Sequence, residues 1–240
     1  MPSQRKIIIA QNGPYLVSGS VPMSFLNIGV DDKGLSTQWV EGKSIPIPEP
    51  CKLCRCGESK NKPFCDGTHK AIGFDGTETA SHETVMDQAE VMDGPTMQLA
   101  DAEVLCAYAR FCDPNGRIWN QVGHTDNPRV KGHFIKQAGD CPSGRLLAID
   151  KAFPLRQGSG GQAGTVVEPK LPQSIGVVED PANGCSGPLW VRGGIELTGA
   201  DGKPYEVRNR MTLCRCGRSE NKPFCNGAHA ADPKFSDGLG

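Results

Sequence analysis

Long apolar runs, aromatic residues and a surplus of either charge are all scarce in this 240-residue chain. The apolar run near the N-terminus, Ile7-Ile8-Ile9-Ala10, spans four residues. A secretory core needs about 7–15 apolar residues and a membrane-spanning helix about 20. The expectation is a cytoplasmic protein with no membrane partner. A net charge of −1 provides no basic field for nucleic acid, which is therefore not an expected partner. Aromatic residues make up 6% and the apolar set 37%, which disfavours one large side-chain core. Also missing are a G-x-G-x-x-G turn after a strand, a P-loop and a Ser/His/Asp constellation. The chain is accordingly expected not to be an enzyme.

What it has instead is glycine, proline and cysteine: 30, 19 and 11 residues. The first two favour turns and short strands. Eleven cysteines are many for a protein that is not exported, where disulfides rarely persist, and an odd number cannot pair completely. Clustered cysteines then read as metal ligands, which also supply stability that a thin core cannot.

The clusters form a repeat. Leu53-Cys54-Arg55-Cys56-Gly57-Glu58-Ser59-Lys60-Asn61-Lys62-Pro63-Phe64-Cys65-Asp66-Gly67-Thr68-His69 returns as Leu213-Cys214-Arg215-Cys216-Gly217-Arg218-Ser219-Glu220-Asn221-Lys222-Pro223-Phe224-Cys225-Asn226-Gly227-Ala228-His229. The differences touch no cysteine, histidine or proline. Each copy has the spacing C-x-C-x8-C-x3-H and offers Cys54, Cys56, Cys65 and His69, or Cys214, Cys216, Cys225 and His229. Two ligands before a loop and two after it suit a flat two-iron cluster. Cys3His is also a common structural zinc set, although zinc knuckles usually space their first cysteines C-x2-C. Gly187-Pro188-Leu189-Trp190-Val191 echoes Gly13-Pro14-Tyr15-Leu16-Val17, so the repeat includes a strand pair ahead of each loop.

The run C-x-C-x2-S-x3-P-x-C-[DN]-G-x-H resembles the motif of the CDGSH iron–sulfur (NEET) family. Cys54, Cys56, Ser59, Pro63, Cys65, Asp66, Gly67 and His69 match it in order, with Thr68 at the serine position. The second copy matches at Cys214, Cys216, Ser219, Pro223, Cys225, Gly227 and His229 but carries Asn226 and Ala228. The resemblance implies one [2Fe–2S] cluster per copy, with Cys54/Cys56 on the inner iron and Cys65/His69 on the outer. It implies, too, that the copies form an internal pseudo-dimer, making the chain self-sufficient as a monomer. A histidine among thiolates lowers the site's negative charge and raises its potential, and its second nitrogen couples redox state to pH. The expected function is electron transfer, iron–sulfur cluster transfer or redox sensing, with a redox or cluster-acceptor protein as partner. The alternatives are a structural zinc module for interactions and an electron-relay subunit of an oxidoreductase. Arg55, Lys60 and Lys62 read as solvated charges, or else as steering groups for an acidic partner.

A second pattern lies between the copies. Cys106, Cys112 and Cys141-Pro142 fill the first, third and fourth places of a C-x2-C-x2-C…C-P ferredoxin site, with Ala109 in the second. The region resembles the divergent single-cluster ferredoxin domain. Three thiolates suit [3Fe–4S], or [4Fe–4S] with an outside ligand; three buried, reduced cysteines without metal remain the other reading. Cys51 and Cys185 read as free thiols.

The spacing of Leu99, Val104, Ala107, Tyr108 and Phe111 predicts a helix over 96–112. Gly158-Ser159-Gly160-Gly161-Gln162-Ala163-Gly164 reads as a flexible segment. The expected fold is α+β, rich in strands and loops, with two small CDGSH modules in a pseudo-twofold arrangement around a ferredoxin-like middle. The expected divisions are 1–80 for the first module, 95–155 for the middle, 156–184 for a linker and 185–240 for the second module.

Overall fold

The chain reverses first at Gly13-Pro14, where the Gly13 and Ala10 amides bond Ala10 O and Pro14 O, both at 3.0 Å. The structure is a computed structural model that describes residues 4–152 and 164–238. Residues 158–163 of the expected flexible segment lie outside the described residues. The reversal pairs β1 (Lys6–Ile9) with β2 (Tyr15–Ser18), placing Ile7 opposite Val17 and Ile9 opposite Tyr15. Next comes a hairpin of β3 (Met23–Val30) and β4 (Ser36–Ser44), whose turn is closed by Asp31 accepting from the Lys33 and Leu35 amides at 2.9 Å. Strand β5 (Cys51–Leu53) delivers the chain into the first cysteine run, which ends in the single turn α1 (Thr68–Ala71).

The middle region is an antiparallel sheet carrying a helical layer. It comprises β6 (Glu90–Asp93), β7 (Met97–Asp101), α2 (Ile118–Gln121), α3 (Pro128–Asp140), β8 (Leu146–Asp150) and β9 (Thr165–Val167). The strands lie in the order β6-β7-β8-β9. Met97, Leu99, Ile118, Phe134, Ala138, Leu146 and Ala148 form its core. The helix expected over 96–112 is not there. Residues 97–101 are β7, flanked on both sides by strands, and 103–105 form one 3-10 turn. Leu99 and Ala100 are both buried because both faces of β7 are covered, so period-two alternation is lost and the apolar spacing resembles a helix. The long helix is α3, announced by Asn127-Pro128. Asn127 Oδ1 accepts from the Arg129 amide at 3.0 Å, and Pro128 occupies the first turn, where its missing N–H costs nothing.

The last part contains β10 (Ser174–Asp180), β11 (Cys185–Arg192), β12 (Glu196–Thr198) and β13 (Arg210–Leu213). The range 156–184 was expected to be linker, yet β10 is buried at every residue and lies inside a five-stranded sheet. Gly176 and the acidic pair Glu179-Asp180 hid it. Those carboxylates are buried against Arg215 and Arg110 rather than solvated.

Two sheets result, ordered β12-β1-β2-β5 and β13-β11-β10-β3-β4. In each, the edge strand entering a cysteine run pairs with the strand that carries the Gly-Pro echo: β2 starts just after Gly13-Pro14, and β11 contains Gly187-Pro188. The fourth strand comes from the other end of the chain: β12 lies parallel to β1, and β3 lies parallel to β10. Tyr15 faces Leu53 as Leu189 faces Leu213. Ile7, Tyr15, Leu53, Ile175, Leu189, Leu197 and Leu213 pack in one core, each almost fully buried. At about 1.5–3 kcal/mol per large apolar side chain, this shared interior joins the two cysteine-bearing parts. The fold is thus α+β and strand-rich. Among the described residues no helix is long and apolar enough to cross a membrane.

Candidate metal centre

Each cysteine run is folded by the same bonds. Cys54 N donates to Pro63 O (2.8 Å) and Cys65 N to Lys52 O (2.8 Å); Cys214 N donates to Pro223 O (2.9 Å) and Cys225 N to Thr212 O (2.9 Å). The loop between is pinned by its serine: Ser59 Oγ donates to Phe64 O at 2.6 Å and Ser219 Oγ to Phe224 O at 2.7 Å. These bonds bring the two halves of each ligand set to one end of the loop. Cys54 Sγ lies 3.7 Å from Cys56 Sγ, and Cys65 Sγ 3.3 Å from His69 Nδ1. In the second copy the corresponding separations are 3.7 Å for Cys214/Cys216 and 3.4 Å for Cys225/His229. The donors therefore stand as two pairs per copy. Among the described residues no three His, Cys, Asp or Glu side chains gather closely enough to hold a single metal ion.

The surroundings suit an anionic centre. Backbone amides of Cys56, Gly57 and Ser59 bond the Cys54 sulfur and lower its pKa, but the larger cause is the hydrogen bond from the Cys56 thiol, and together they bring Cys54 to about 6. Cys56 is raised in return, first by that shared proton and then by burial. In the second copy Cys216 takes the low position, at about 6, through its bond with Cys214. Each inner pair thus supplies one ready thiolate. Burial, followed by the charge of Arg215, holds His229 down to about 4, which keeps its imidazole neutral and free to coordinate. Burial raises Cys225.

The two sets meet back to back. Cys56 and Cys216 form a backbone bridge, and Gly57 and Gly217 lie against each other's neighbouring cysteine. Arg55 and Arg215 are 1% and 3% exposed, which corrects the reading of Arg55 as a solvated charge. Arg55 Nε donates to Gly13 O (2.9 Å) and Nη2 to Gly76 O (2.8 Å). Arg215 Nε donates to Gly187 O (2.7 Å), but its remaining nitrogens also meet Glu179 (2.7 Å) and Asp237. Position 55 was misread because an arginine between two cysteines looks like any loop charge until the Gly-Pro turn it braces is known. Lys60 is exposed and Lys62 half-buried.

The copies also differ at the turn before the histidine. Asp66 accepts from the Lys60 amide (2.8 Å) and the Thr68 amide (2.9 Å), which holds its carboxyl well below the usual range. Asn226 accepts from Ala228 N at 3.2 Å. A folded-state pKa below the unfolded value of about 3.9 makes Asp66 a contributor to stability above that pH, and the contribution fades as pH falls through the folded value. Asp66→Asn is therefore expected to melt lower than the parent at neutral pH, with the gap closing in acid. A gap of equal size across a pH series of melts would show that the ionised carboxylate contributes nothing.

The structure also places the three middle cysteines around one small cavity. Cys106, Cys112, Cys141, Ala109 and Arg145 line a space of about 30 Å³. Tyr108 and Arg110 take left-handed φ values of 54° and 62°, costly for non-glycine residues, so the loop between Cys106 and Cys112 is held in shape. Gln137 Nε2 holds it by donating to Phe111 O and Pro114 O, both at 3.0 Å. Arg210 Nε donates to Cys141 O at 2.8 Å. Cys112 is pushed up to about 12, chiefly by burial and then by Asp113, Cys141 and Cys106. Cys51 and Cys185 are buried thiols outside these sets.

Two stretches of the chain, residues 12–70 and 186–230, match the family described as iron-binding zinc finger, CDGSH type. Together these stretches cover less than half of the chain. No curated protein and no solved structure matches it.

Proposed function

We propose that each CDGSH set holds a [2Fe–2S] cluster, with the C-x-C cysteines on one iron and the third cysteine and histidine on the other. The observation that carries this reading is the sorting of four donors into two close pairs per copy. A single zinc ion needs all four on one tetrahedron. When bound, such a cluster supplies one-electron redox chemistry at iron. The chain's residues set its conditions: backbone amides and Arg55 offset negative charge, and the neutral histidine keeps a nitrogen that can exchange a proton.

The protein then acts as a non-enzymatic carrier of electrons or clusters for a protein partner. It is complete as a monomer, because its halves are arranged about a pseudo-twofold. Supporting this symmetry are the matched strand orders, the reciprocal exchange of β3 and β12, and the Cys56–Cys216 bridge. The convergence of Cys106, Cys112 and Cys141 supports a third, three-cysteine cluster site of [3Fe–4S] type, or [4Fe–4S] completed by an outside ligand. Iron and acid-labile sulfide in anaerobically prepared protein test both assignments. About four of each per chain is expected from the two CDGSH sets, and about three more iron and four more sulfide with the middle site filled as [3Fe–4S]. Zinc without sulfide would overturn the reading.

A further inference from the structure

The two CDGSH sets share ligands and internal bonds, but not access to solvent. Cys225 and His229 are 2% and 4% exposed, whereas Cys65 and His69 are both only partly buried. The cause is not the runs themselves. Each histidine carbonyl accepts from a following phenylalanine amide at 2.9 Å, Phe74 in one copy and Phe235 in the other. Each of those rings lies 5.5 Å from the guanidinium of the arginine in its own copy.

The difference comes from the middle region. At Gly227, in the turn between Cys225 and His229, a Cβ would lie 3.3 Å from both Cys106 O and Tyr108 Cβ; at Gly67 a Cβ would meet nothing within 4 Å. The covering segment, Val104 to Arg110, is fastened on three sides. Asn221 Nδ2 donates to Val104 O at 3.2 Å, and Arg110 grips Asp180 with two bonds of 2.6 and 3.1 Å. Just beyond, Phe111 packs on Trp39, with ring centres 4.8 Å apart. Among the described residues nothing equivalent lies over the Gly67 turn.

We infer that Val104–Arg110 is a cap that retains metal in the second set, and that the first set is the one that exchanges it with an acceptor. The inference rests on the reading of both sets as iron–sulfur sites. The exchange would replace all four bonds, those of the more open Cys65 and His69 and then those of Cys54 and Cys56, by bonds to the acceptor's own donors, with no change of oxidation state. The acceptor it fits presents thiolates within an acidic rim, since exposed Lys52, Lys60 and Lys70 outnumber exposed Glu58 and Asp66 in and beside the first run.

Iron leaving the anaerobic holoprotein into excess ferrous chelator, after reduction, reads the difference directly. In the decay of the reduced [2Fe–2S] spectroscopic signal, which leaves out iron held by the middle site, two phases are expected, separated by about tenfold or more, as for groups whose release needs a local opening. His69→Cys should slow the fast phase alone. Tyr108→Gly, which suits the left-handed φ at that position, and Arg110→Ala should each hasten the slow phase alone. Thermal melts of Tyr108→Gly separate loss of the cap from loss of the fold. Equal release from both sets, or a slow phase indifferent to both cap variants, would overturn the inference. A preparation without acid-labile sulfide would instead remove the iron–sulfur reading on which it rests.

Discussion

Arg215→Met is expected to destabilise the fold by about 3–5 kcal/mol, the range for removing one partner from a buried ion pair. Arg215 is 3% exposed and sits between Glu179 and Asp237, whose side chains are 5% and 0% exposed. Methionine fills similar volume but leaves two carboxylates without their cation, and the Gly187 and Val178 carbonyls without their donor. Burial already raises Glu179 above its ordinary value, and Arg215 works against that rise. Without the guanidinium the folded-state pKa climbs further, so the native state holds a proton that the unfolded state gives up. Stability must then fall as pH rises above the ordinary glutamate value of about 4.3 and recover in acid. Urea unfolding at several pH values would show both the loss and its slope. Arg55→Met supplies the contrast. It orphans two carbonyls and no carboxylate, so a loss of about 1–3 kcal/mol with little pH dependence is expected. Equal losses at the two positions would contradict the asymmetric charge pairing.

The two cysteine runs were legible because their repeat of Cys, Gly, Pro and His at fixed intervals matches a family motif. The exchange of β3 and β12 was not legible, because strand partners 150 or more residues apart leave no local trace. Strand β10 was missed for a related reason. Its acidic end is acceptable in an interior only beside Arg215 and Arg110, which lie far from it in the chain. The helix expected over 96–112 shows the opposite failure. There the apolar spacing was real, but it came from a strand covered on both faces followed by a tight loop. The middle cysteines fall between these cases: their spacing suggested a site, and the fold brings them to one cavity. The cap over the second set had no signal of its own, since Asn221 and Val104 meet only after the middle region has folded against β11 and β13.

Gly57→Ala should be among the most damaging single methyl additions in the cysteine runs, at about 3–4 kcal/mol. Gly57 has a φ of 83°, where a left-handed conformation costs an L-residue about 1–2 kcal/mol. The remainder is steric. A Cβ there would stand 2.5 Å from Cys216 O and 2.8 Å from Cys216 C, and backbone atoms cannot rotate aside as a side chain can. Gly217 has the reciprocal geometry, 2.4 Å from Cys56 O at a φ of 78°, so its alanine variant should behave alike. Gly67→Ala is the control. It has the same handedness, with a φ of 92°, but open space around it, so only the conformational part should appear. Comparing unfolding midpoints of the three variants separates the two contributions. If Gly57→Ala and Gly67→Ala lose the same stability, the close approach of the two runs is not real. The result bears on the metal centres as well. Cys56 and Cys216 are both proposed ligands and the residues forced apart, so a methyl at either glycine must displace one inner pair relative to the other. Metal binding at both proposed sets should therefore weaken in each variant, whereas Gly67→Ala should affect the first set alone.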